Sequence, residues 1–249
     1  MQPKKIIIGF PGNLERLHTE EEKLHHKSLT VISSNPRMLL SLNVIERVMT
    51  MAHAFVAYST EDQDLKVIQM CTLRLFNAFA SSYKLATSGY YQKSALIMRD
   101  IIEVVYLTDL FRTDRAAITR WRFADKKAKD KEFKPIRVRE ALDKRDGFTE
   151  AKRAERYDMF SVLAGHVNMN STLMLRPEKG EYISHGPFFD LVALRTTLDE
   201  MGLLAVQIRA ILDAFFPSDW IQHDEFRQEV RALSEQWMSE VYRKRENAT

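Results

Sequence analysis

Arg99 and Glu103 stand four residues apart. On a helix that spacing sets a guanidinium and a carboxylate on one face, here with Leu96, Tyr106 and Leu110. A guanidinium so placed stabilises phosphate charge, and the carboxylate orients it. His166 follows the apolar stretch around Phe160, Val162 and Leu163 and precedes Asn168, Asn170 and Ser171. An imidazole at the edge of a polar loop has the pKa range for a general acid or base at neutral pH. Arg156, earlier in the same stretch, is a second candidate for phosphate. The alternative for the first pair is a buried ion bridge that fixes helix register, and for His166 a capping or core role.

The second chemistry-bearing feature is electrostatic. Residues 112–145 hold thirteen Lys+Arg against six Asp+Glu, a local +7 in a chain whose total is +3. Arg120, Arg122, Lys126, Lys127, Lys129 and Lys131 form its densest part, with Trp121, Phe123 and Phe133 interleaved. Cations that follow a phosphate backbone, with aromatic rings that stack on unpaired bases, make a single-stranded nucleic-acid footprint. The same face read as a solvated helix would suit an acidic protein partner instead. His18, Glu22 and His26 step by four and share a helical face, which could ligate a divalent metal. Without an apolar stripe to hold them, they read as a solvated face, so neither a metal nor a cofactor is expected. Phosphate-binding glycine loops, dinucleotide fingerprints, the H-E-x-x-H zinc pair and the G-x-S-x-G elbow do not occur.

The elements that must position these residues read as helices. Eight glycines and seven prolines in 249 residues leave long uninterrupted intervals. The patterning predicts helices over 36–59, 60–87, 90–111, 114–129, 135–146 and 149–165, then a long one from 188 to 216 and a last one over 226–241. The helix carrying Arg99 is apolar on every side, the mark of one enclosed by protein. From Leu191 to Phe215 apolar residues alternate steps of three and four, the seam of a bundle interior. Residues 5–10 and 28–33 each resemble a short strand, so a small hairpin is expected there. The expected organisation is an N-terminal extension over 1–35 and one all-α bundle over 36–249. The apolar stripe of the last helix, with Phe226, Val230, Leu233, Trp237 and Val241, suggests a homodimer through the C-terminal helices.

Composition agrees with a folded chain, 45% hydrophobic and 29% charged. Its mean hydropathy is −0.31, and no membrane span is expected. One cysteine, Cys71, excludes an intrachain disulfide and a Cys-rich zinc site, and with no secretory leader pattern the expected location is cytoplasmic.

The segments Tyr90-Tyr91-x-x-Ser94-Ala95-Leu96-x-Met98-Arg99-x-x-x-Glu103 and Tyr157-x-x-x-Ser161-x-x-x-x-His166 resemble the two recurring helices of bacterial helical-bundle proteins distantly similar to the HEPN superfamily. That resemblance implies an all-α, commonly dimeric protein that acts on RNA in a defence or toxin setting. In such proteins an arginine and a histidine on one helix, four to six residues apart, cut RNA; here Arg156 and His166 have nine residues between them. It carries Arg99, Glu103, Ser161 and His166 over as family-like positions. The expectation is an RNA-binding or metal-independent RNA-cleaving protein, with Arg99, Glu103, Arg156 and His166 as candidate catalytic residues. The other expectation is a non-enzymatic module that presents its basic segment to an acidic protein.

Overall fold

A computed structural model describes residues 11–165, 169–177 and 183–243. Among them every regular element is helical, in agreement with the expected all-α class. In chain order these are α1 (Gly12–Ser34), α2 (Pro36–Ala57), α3 (Gln63–Thr87), α4 (Tyr91–Thr113), α5 (Ala116–Phe123), α6 (Lys126–Glu132), α7 (Pro135–Asp146), α8 (Lys152–Phe160), α9 (Leu191–Phe215) and α10 (Asp224–Trp237). A π-helical turn, Ser161–Gly165, continues α8, and another, Met238–Tyr242, continues α10.

Local chemistry explains most boundaries. The Asn35 side chain accepts from the Met38 amide and Pro36 opens α2 without wasting a donor. Asp62 accepts from the amides of Asp64 and Leu65 to start α3, and Asp190 accepts from Ala193 to start α9. Gly89, at φ 87°, stops α3; a Cβ there would sit 2.5 Å from the Phe188 carbonyl oxygen, so only glycine lets the strap before α9 lie against this corner.

α4 is the hub. It packs against α3, α9, α7 and α8. That is why it is apolar all round: Met98, Ile101, Ile102, Val105 and Phe111 are all buried, on different sides of the helix. α2 packs against α3 and α9 as well as α10, and its Met38, Val44, Ile45, Met51 and Phe55 lie in the core. Contrary to expectation, α2 is long and apolar enough by composition to cross a membrane, with a mean hydropathy of 1.2 over its best window. In this fold its buried face joins the core.

Three expectations need correction. Residues 28–33 are not a strand but the end of α1. The β-branched Thr30, Val31 and Ile32 favour strands by propensity, yet Ser28 and Ile32, one helical turn apart, both face inward, and the Ser28 hydroxyl donates to the Thr87 carbonyl at 2.8 Å. The other half of the expected hairpin, 5–10, lies outside the described residues. α1 also packs on α2 and α3, with Lys84 bound to Glu22 at 2.7 Å and Tyr90 donating to Glu21 at 2.7 Å. The helix expected over 114–129 is two helices, because Asp125 leaves the helical conformation and accepts from the Ala128 amide at 2.7 Å to cap α6. The helix expected from 149 begins at Lys152, because the chain first turns through Ala151 in the left-handed region, φ 48°.

The stripe of α10 faces its own chain. Val230, Trp237 and Val241 are buried, and the Trp237 indole N–H donates to the Ser41 hydroxyl at 2.9 Å. The residues that motivated self-association thus complete the intrachain core.

Candidate functional site

Arg99 and Glu103 share a face of α4 and pair through a third residue. The Tyr157 hydroxyl, from α8, donates to Glu103 Oε1 at 2.7 Å and accepts from Arg99 Nη2, while the direct Arg99–Glu103 separation is 3.8 Å. Burial, with the Glu103 carboxylate beside it, pushes the Tyr157 phenol above its ordinary pKa. Two guanidiniums lie over its ring, Arg139 at 4.2 Å and Arg99 at 4.7 Å. The pair is less enclosed than the apolar sequence implied. Arg99 retains 27% and Glu103 32% of side-chain exposure, because α7 and α8 cover this face of α4 only in part. Gly165, in the π-helical turn, lies against the Arg99 guanidinium, so that turn is seated on the arginine.

Arg156 turns elsewhere. Its Nη2 donates to Glu200 of α9 at 3.2 Å, and it lines a cleft of about 580 Å³ between α4, α8 and α9. Arg112, Lys152 and Arg153 line the same cleft, with Asp109 as the carboxylate among its lining residues. Arg153 is held from behind by Asp143 at 2.7 Å and by Asp146. Tyr106 forms part of the lining and is 7% exposed. Burial raises the Tyr106 phenol, against the opposing pull of Arg156 and Arg153. Arg156 and Tyr157 are neighbours in sequence on different faces of α8, so the structure does not bring Arg156 into the Arg99–Glu103 cluster. His166 lies outside the described residues.

The basic segment folds as an excursion from the bundle and back. Its two ends meet at Asp109 of α4, which accepts from Arg112 Nε and from Arg145 Nη2, each at 2.8 Å. Within it Arg120 and Arg122 are tied down. Arg120 binds Asp114 and Glu132, both at 2.7 Å, and Arg122 binds Asp64 at 2.8 Å, which holds both Asp114 and Asp64 below the usual carboxylate range. The lysines are not. Lys126, Lys127 and Lys131 are exposed on α6, which buries none of its residues. Lys129 differs, its ammonium lying 4.8 Å over the Trp121 ring. The three aromatic residues divide: Phe133 is in the core, Trp121 packs edge-on against Phe111, and Phe123 is 77% exposed.

Sequence reading did not single out Tyr157 as the bridging residue, nor Tyr106, Lys152 and Arg153 as cleft residues. A signal was present for the last two. Lys152, Arg153 and Arg156 recur at helical spacing on a short, otherwise polar helix, which is a basic face. Of the face considered for metal, Glu22 is engaged by Lys84 and His18 lies 3.5 Å from Glu21.

No family model matches this chain, and neither a curated protein nor a solved structure does.

Proposed function

We propose that this protein binds single-stranded RNA through the excursion over residues 112–145. The observation that supports the reading most is a contrast within the excursion: Arg120 and Arg122 are fixed by carboxylates, whereas Lys126, Lys127 and Lys131 stand in solvent on α6 and Phe123, which ends α5, is 77% exposed. Fixed ion pairs hold the shape of the platform. Free ammonium groups then release counterions when a phosphate backbone lies across them, and one accessible ring gives a base something to stack on. No apolar packing accounts for α6, which has no buried residue.

Binding is supported better than cutting. Among the described residues, no histidine lines the arginine-lined cleft, and its carboxylate, Asp109, is held by two guanidiniums. The proposed cleavage role of Arg99, Glu103, Arg156 and His166 has its best support in the Arg99–Tyr157–Glu103 cluster, a set of charges about a third exposed and in contact with a π-helical turn, an irregularity frequent at functional sites.

Fluorescence anisotropy with a labelled single-stranded RNA at low salt tests the reading. Affinity should fall steeply as salt rises, and Lys126→Glu with Lys127→Glu should lower the salt slope by roughly one to one and a half, the share of two phosphate contacts. No association at low salt would remove the RNA reading and favour an acidic protein as partner.

A further inference from the structure

The cleft between α4, α8 and α9 does not belong to the solvent-facing lysine platform, and its chemistry is different. Its volume, about 580 Å³, is that of a small-ligand site. Four cations line it, from Arg112, Lys152, Arg153 and Arg156, against Asp109. The acids that hold Arg153 and Arg156, namely Asp143, Asp146 and Glu200, are not among the residues that line it. A guanidinium has five N–H donors, and Arg156 gives Glu200 a single bond, so it keeps donors for a guest. Tyr106, 7% exposed as a residue, adds a phenol to the lining. Gln207 adds a buried side-chain oxygen without a partner there. The remaining surface is apolar or aromatic, with Phe148, Val105 and Ile211.

We propose that this cleft binds a phosphate monoester carried on an aromatic ring, as on the terminal nucleotide of an RNA strand or on a free nucleotide. A monoester brings nearly two negative charges and three acceptor oxygens to one point, which suits a half-open cleft lined by several cations. An internal phosphodiester brings only one charge. The Phe148 ring, already beneath the Arg153 guanidinium at 5.1 Å, offers a face for the base, and the Gln207 oxygen accepts from a base amino group. The strand form of this ligand rests on the RNA reading above; the free-nucleotide form does not.

The experiment compares otherwise identical labelled RNA strands ending in a 5′-phosphate, a 3′-phosphate or hydroxyls only, and titrates adenosine 5′-monophosphate by calorimetry. The expected result is at least tenfold tighter binding of one phosphorylated strand than of the hydroxyl strand. That ratio should fall to near one in Lys152→Glu, whose side chain is 61% exposed and whose loss leaves the fold intact, and in Arg156→Ala provided its helical circular dichroism is unchanged. Binding of the mononucleotide with no advantage for either phosphorylated strand assigns the cleft to a free nucleotide. Equal binding of all three strands together with no mononucleotide binding overturns the inference and leaves the RNA platform standing. Mononucleotide binding without any strand binding overturns the platform and keeps the cleft. If neither binds, both readings fall.

Discussion

A Cβ placed on Gly202 would come within 2.8 Å of the Trp237 ring. The glycine in α9 therefore makes the space into which α10 inserts its indole, and the indole N–H continues inward to the Ser41 hydroxyl, which itself donates to Asp199 at 3.2 Å. Arg37 closes this chain by binding Asp199 at 2.7 Å. Three helices, α2, α9 and α10, are joined by one run of polar groups inside an apolar core.

Trp237→Ala should cost about 3–5 kcal/mol in urea denaturation, the range for losing a buried aromatic side chain. Trp237→Phe should cost less, because it keeps most of the ring and loses the bond to Ser41. Gly202→Ala should cost roughly 1–3 kcal/mol by overpacking. A Trp237→Ala protein that keeps its full stability while a dimer comes apart in sedimentation would place this residue at a subunit interface instead.

Arg99→Ala should destabilise by less than the ~3–5 kcal/mol typical of a fully buried pair, since both partners keep about a third of their exposure. Tyr157→Phe should cost about 1–2 kcal/mol, by removing both the bond donated to Glu103 and the one accepted from Arg99. The two changes share a network, so the double variant should show a coupling energy between about 0.5 and 3 kcal/mol. Strict additivity would mean that Tyr157 does not bridge the pair.

Acid should weaken the end of α7. Bonds from Arg145 and then Arg153 hold Asp146 down from 3.8 to about 2. A carboxylate with a depressed folded-state pKa contributes stability that is present above its unfolded value and lost as pH falls through the folded one. Its share should therefore disappear between about pH 4 and pH 2. Denaturation midpoints measured across that window should fall less in Asp146→Asn than in the parent chain.

The Cys71 thiol should be inert in the native state. Burial pushes its pKa up to about 11, and the side chain is 6% exposed in the core. A chromogenic disulfide reagent at pH 8 should react at the rate of unfolding, and fast stoichiometric labelling of the folded protein would contradict its placement.

Where periodicity was strong, the sequence alone determined the answer. The bundle class, the extent of α7 between Pro135 and Gly147, the seam of α9 and the enclosure of α4 are all written in the spacing of apolar residues, because burial on a helix repeats with the helix itself. The four-residue step from Arg99 to Glu103 likewise ensured that they could pair. Tertiary structure decided everything that depends on which helix lies opposite. It gave the pair its Tyr157 bridge, turned the adjacent Arg156 toward Glu200, and folded Trp237 inward onto Gly202. It also decided which cations of the basic segment are held and which stand in solvent, since the carboxylates that hold Arg122 and Arg145, Asp64 and Asp109, come from outside that segment. Local patterning records how a residue is spaced along its own helix, whereas an ion pair, a cleft or a covered stripe is set by residues far away in the chain, and no local period encodes them.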